Sequence, residues 1–134
     1  MRLEVTRKSD LAVRAMCRLG RVGRAKGSEL AKIAGTSQAF MAQVLAPLVQ
    51  AGWVRSIPGP TGGYELEVDL HSVSMLDLIE SIEGPTETGV CALRGGPCPG
   101  SDQCALHEAW SPARDALLDR LRHTSLAVAA DCLP

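Results

Sequence analysis

No apolar run in this chain approaches the length that spans a bilayer, and the charged opening MRLEVTRKSD lacks the apolar stretch of a secretory signal. A cytoplasmic protein without a membrane partner is the expectation. Thiols stay reduced in that compartment, so the five cysteines are expected to be free, ligating or redox-active and not paired in structural disulfides. Internal repeats, low-complexity segments and long linkers are absent as well. At 134 residues the chain offers one domain's worth of core and little room for a spacious catalytic cleft, so no enzyme is expected.

A formal net charge of −1 conceals a strong polarity along the chain. Residues 1–63 carry ten basic and three acidic side chains, net +7; residues 64–134 carry four and twelve, net −8. The front half can therefore face a polyanion, whereas solvated helix faces are the plain alternative.

Leu11, Ala12, Ala15, Met16, Leu19 and Val22 recur at three- and four-residue intervals, predicting an amphipathic helix with Thr6 or Ser9 as N-cap. A short helix follows from Ser28, with Leu30, Ile33 and Ala34 apolar, and stops at Gly35. Thr36 or Ser37 then caps a third helix that buries Met41, Val44, Leu45 and Leu48. Two helices joined by so tight a turn form a helix-turn-helix. Pro47 predicts a bend in the third helix and not a break.

Past Ala51-Gly52 the pattern becomes WVRSI, PGPTGG and YELEV, a two-stranded hairpin around a glycine turn. Helix-turn-helix followed by such a hairpin is the order of a winged helix, whose recognition helix enters a DNA major groove while the wing touches backbone or minor groove. In this reading Ser37, Gln38 and Gln43 of the recognition helix, Arg55, and Thr61, Gly62 and Gly63 of the wing face DNA. Arg2, Arg7 and Lys8 add phosphate contacts.

Ser74 and Asp77 suggest a capping box for a helix that ends at Gly84-Pro85. The following loop, GVCALRGGPCPGSDQCALH, gathers Cys91, Cys98, Cys104 and His107 into seventeen residues, the mark of a metal or cluster pocket. Leu106, Trp110, Ala113, Leu117 and Leu121 then form a long apolar stripe for which little core remains, so dimerisation through this helix is expected; Ser111-Pro112 is a possible restart within it.

A winged helix of this length with the wing sequence GPTGGY and three cysteines before a long terminal helix resembles the Rrf2 family of bacterial iron-sulfur transcription regulators, in its IscR-like and NsrR-like branches. The resemblance covers nearly the whole chain. It implies a mainly α fold with a small β-hairpin: a winged-helix DNA-binding region over residues 1–84, a cluster-binding loop over 85–104, and a dimerisation helix with its tail over 105–134, in one compact domain. It also implies a homodimer that binds double-stranded promoter DNA under control of an iron-sulfur cluster held by Cys91, Cys98 and Cys104.

For the fourth ligand the sequence offers two candidates. His107 stands where IscR-like members complete a 2Fe-2S site, and Asp10 where NsrR-like members supply an aspartate from the partner subunit to a 4Fe-4S site. A plain acidic residue at a helix start and a solvent-facing histidine are the ordinary readings of the same two positions. Zinc is the rival cofactor, but spacings of six and five residues lack the C-x2-C pair of zinc modules. A zinc-stabilised interaction module and a small iron-sulfur redox protein are the rival functions.

Two departures bear on DNA reading. Pro58 occupies the place where related regulators carry an arginine before the wing's Gly-Pro, and Ala42 the place of the acidic residue that IscR-like members use to select sites. The gap between Cys91 and Cys98 is also one residue longer than in either branch.

Overall fold

The computed structural model describes residues 4–93, 95–98 and 104–133. In chain order it contains α1 (Arg7–Val22), β1 (Arg24–Ala25), α2 (Gly27–Ala34), α3 (Gln38–Gln50), β2 (Val54–Ile57), β3 (Gly63–Leu66), a 3-10 turn (Leu70–Ser72), α4 (Met75–Glu83), α5 (His107–Arg122) and α6 (Leu126–Cys132).

α1 begins where Thr6 Oγ1 accepts the Ser9 amide, and Gly23, at φ 75°, ends it. Its apolar stripe of Leu11, Ala12, Ala15, Met16 and Leu19 is buried against α2, α3, α4 and α6, making α1 the axis of the core. Left-handed Gly35 closes α2, and three residues later α3 starts with Ser37 Oγ accepting the Phe40 amide. Met41, Val44, Leu45 and Leu48 point inward, so Gln38 and Gln43 are left on the open side of the helix. α3 runs unbroken through Pro47.

The wing is larger than the expected hairpin. β1 pairs with β3, giving a three-stranded antiparallel sheet in the order β1-β3-β2, with Arg24 and Arg55 both opposite Glu65 and Ser56 opposite Tyr64. Two residues are too short to show period-two alternation, and the Arg24–Ala25 strand is recruited by tertiary pairing alone.

α4 carries the expected capping box: Ser74 Oγ accepts the Asp77 amide, and the Asp77 carboxylate accepts the Ser74 amide. The C-terminal region is not one long helix with a tail. α5 spans 16 residues, continuous through Pro112, so the expected restart at Ser111-Pro112 does not occur. After a turn at Thr124, α6 folds back onto α1 and the 3-10 turn; Leu126 is fully buried, and Arg21 donates to the carbonyls of Ala130 and Leu133. By contrast α5 buries none of its residues and touches mainly α4, with Leu117 51 % exposed. Among the described residues no helix is long and apolar enough to cross a membrane.

Candidate nucleic-acid interface and cysteine pocket

The helix-turn-helix and the wing enclose an open groove of about 250 Å³, lined by Lys26, Ser28, Gln38, Ser56, Gly62 and Tyr64 among others. Gln38, at the start of α3, faces this groove, and Gln43 and Thr61 are exposed. Ser37 is exposed too, but its hydroxyl is engaged as the helix cap. Lys26 and Ser28 precede the recognition helix in sequence, and β1 brings them beside it.

Three of the expected DNA-facing groups are engaged within the chain. Arg55 Nη2 lies 3.0 Å from Glu65 Oε1 and its Nε 3.0 Å from Glu67 Oε1, so its charge is balanced on the wing surface. The Gly62 amide donates to the Gly59 carbonyl at 2.9 Å; a Cβ there would stand 2.0 Å from the Ile57 carbonyl oxygen, so the turn requires glycine. Arg7 is exposed and donates to the Gly35 carbonyl in the turn of the helix-turn-helix. Lys8 is half-buried, and Gly63 opens β3 opposite Ile57. Arg2 lies outside the described residues.

The first turn of α1 is fastened to the end of α4. Glu83 Oε1 accepts from the Thr6 amide, the Thr6 hydroxyl and the Ser9 hydroxyl. Burial pushes the Glu83 carboxyl up, but these three donors together hold it below the ordinary carboxylate value. One residue further, Gly84 releases the chain into the cysteine loop.

In that loop Val90 and Pro97 form an antiparallel bridge; the Cys91 amide donates to the Gly96 carbonyl at 2.7 Å and the Cys98 amide to the Gly89 carbonyl at 3.0 Å. Pro97 occupies the pair member that donates nothing across the bridge, so its missing N–H costs nothing. Side chains alternate along a strand, so Cys91 and Cys98, each one residue from the bridge, leave on the face opposite Val90 and Pro97. Cys104 arrives from the start of α5, where the His107 amide donates to its carbonyl at 3.1 Å.

The four candidate ligands come together in two pairs. Cys91 Sγ lies 3.5 Å from Cys104 Sγ, both thiols being buried, and Cys98 Sγ lies 3.3 Å from His107 Nδ1 at the exposed rim. A cavity of about 110 Å³ is shared by all four and closed by Trp110, Ser111 and Arg114 of α5 and Glu87 of the loop. Two donors on one tetrahedral metal at ~2.3 Å stand ~3.8 Å apart, close to both spacings. Among the described residues no three Cys, His, Asp or Glu side chains form a group that could hold a single metal ion as they stand. Asp10 is not in the cavity lining; on α1 both its carboxylate oxygens lie 3.1 Å from Arg14 Nε. Cys17 is buried in the core, and burial pushes its thiol up while Arg21 and Arg14 pull it part of the way back, so it is an apolar filler. Cys132 is exposed at the end of α6.

Residues 5–131 match the Rrf2 family model, described as an iron-dependent transcriptional regulator. The chain belongs to the Rrf2 family. It is 31 % identical over 127 residues to the transcriptional regulator IscR of Escherichia coli O1:K1, covering 92 % of this chain and 78 % of that one. Among solved structures it resembles CymR, the global cysteine regulator of B. subtilis, with a TM-score of 0.80 and 26 % identity over 99 % of this chain and 100 % of that one. IscR of T. potens shares the fold, with a TM-score of 0.72 and 23 % identity over 96 % of this chain and 87 % of that one. This Rrf2 protein is thus a winged-helix transcription regulator and not an enzyme.

Proposed function

We propose that this Rrf2 regulator acts as a homodimer on promoter DNA and that an iron-sulfur cluster, held by Cys91, Cys98 and Cys104, sets its affinity. The observation that carries the reading is the cavity in which two thiols lie 3.5 Å apart and a third lies 3.3 Å from an imidazole. Two pairs of donors support a two-iron centre, for which His107 would serve as the fourth ligand from within the chain. Asp10 is the alternative, supplied by the partner subunit. When bound, the cluster supplies a redox couple and iron sites open to oxidants and nitric oxide.

The chain's own residues suggest how the loop communicates with the DNA reader. The loop begins directly after Glu83, which fastens the first turn of α1, and Arg7 of that turn donates to Gly35 between α2 and α3. Ordering of the loop is thereby transmitted to the start of the recognition helix. A coupling of ~1 to 3 kcal/mol would change operator affinity roughly 5- to 150-fold. Gln38, Lys26 and Ser28 line the groove that meets the operator, with Gln43 and Thr61 exposed beside it. The uncovered side of α5 is the surface for the second subunit.

The test is anaerobic purification followed by iron and sulfide analysis and visible spectroscopy, repeated on Asp10→Ala and His107→Ala. A brown protein with matching iron and sulfide is expected, with the cluster lost or spectrally altered in His107→Ala alone. A colourless protein that retains zinc overturns the cofactor, and cluster loss in Asp10→Ala alone reassigns the ligand to the partner.

A further inference from the structure

We infer that Arg114 borders the cysteine pocket as a cationic N–H donor and tunes the iron-sulfur cluster that the pocket holds. This rests on the cluster reading and extends it to a residue with no part in the ligand set. His107, Trp110, Ser111 and Arg114 recur at three- and four-residue intervals, so one face of α5 lines the cavity over two turns. Arg114 stands at the far end of that face. Its Nη2 lies 2.8 Å from Glu87 Oε2 and 3.5 Å from Asp115 Oδ1, while its Nε is buried and has no acceptor among the described residues.

A buried guanidinium N–H without an acceptor is unfavourable, and natural structures keep one chiefly where another partner satisfies it. The lining supplies the reason. Three thiols ligate only as thiolates, bringing three negative charges and sulfur acceptors into the cavity that Arg114 borders. A cation beside such a site favours the more negative, reduced state and raises the reduction potential; loss of an N–H donor acts in the opposite sense. Glu87 is the opposing charge in the same lining. Its Oε1 accepts the Gly89 amide at 3.1 Å while its Oε2 holds Arg114, so it anchors the start of the loop to α5.

The two residues therefore predict shifts of opposite sign, which a merely structural role would not produce. The experiment is a redox titration of anaerobically purified wild-type dimer, Arg114→Gln, Arg114→Lys and Glu87→Gln, followed by cluster absorbance. Arg114→Gln should titrate at a lower potential than wild type, Arg114→Lys closer to wild type, and Glu87→Gln at a higher potential. Loss of iron from a folded Arg114→Gln, with iron retained by Arg114→Lys, supports the same assignment. Equal potentials for wild type and Arg114→Gln, or shifts of Arg114→Gln and Glu87→Gln in the same direction, overturn it. Should Arg114→Gln fail to fold, Glu87→Gln decides: a rise supports the assignment, and a fall or no change overturns it. Wild-type protein without iron refutes the cluster reading itself and this inference with it, an outcome distinct from an unmoved potential in an iron-loaded Arg114→Gln.

Discussion

Glu83 gathers two hydroxyls and an amide on one carboxylate oxygen at the junction of α1 and α4. Because those donors favour the charged form, its contribution to stability is complete above the unfolded carboxylate range and disappears as pH falls through the lower folded value. Glu83→Gln should lower stability by about 1 kcal/mol at neutral pH, since the site is partly solvated, and by less as pH falls through the carboxylate range. Urea titrations of both proteins across that range check it; a difference independent of pH would contradict the assignment. Glu83 passed unnoticed in the sequence because its partners are 74 and 77 residues away. The gathering of Cys91, Cys98, Cys104 and His107 around one cavity was legible, since their spacing keeps them within one loop and the start of one helix. The pairing of Arg55 with Glu65 and Glu67 was not legible, because charge alone does not reveal what stands opposite it.

At the scale of elements, helices with strong stripes and side-chain caps could be read directly. Thr6, Ser37 and the Ser74–Asp77 box cap the helices expected of them. β1 and α6 could not be read: one is two residues long, and the other, seven residues of LAVAADC, has too little periodicity to stand apart from a tail. Pro112 pointed to a restart, yet α5 absorbs it without interruption. Ser37 separates two roles that the sequence merged. With its hydroxyl engaged by the Phe40 amide, Ser37→Ala should destabilise the protein by about 1 kcal/mol. Specificity among operators should not change once the variant is folded. Thermal denaturation with competition binding on several duplexes checks both halves; unchanged stability with altered sequence preference would make Ser37 a base reader instead.

Across the whole molecule, residues 1–63, with the helix-turn-helix and two of the three wing strands, carry a net charge of +7, while residues 64–134, net −8, add most of β3 and hold the cysteine pocket and an α5 that buries none of its residues. The charge split was visible in the sequence, and so was the unpartnered stripe; the folding back of α6 onto α1 was not. If α5 is the subunit interface, Leu117→Glu should give monomers at micromolar concentration in sedimentation velocity, with operator affinity falling at least tenfold as the second half-site contact is lost, on the order of 1.4 kcal/mol. A Leu117→Glu protein that remains dimeric would place the interface elsewhere. The most direct test of the account is the affinity of wild-type protein for operator DNA, measured anaerobically at fixed salt with iron loaded and after its removal, on duplexes selected separately with each form. The account predicts that affinity differs between the two forms by roughly 5-fold or more; equal affinity on both sets of duplexes would contradict it.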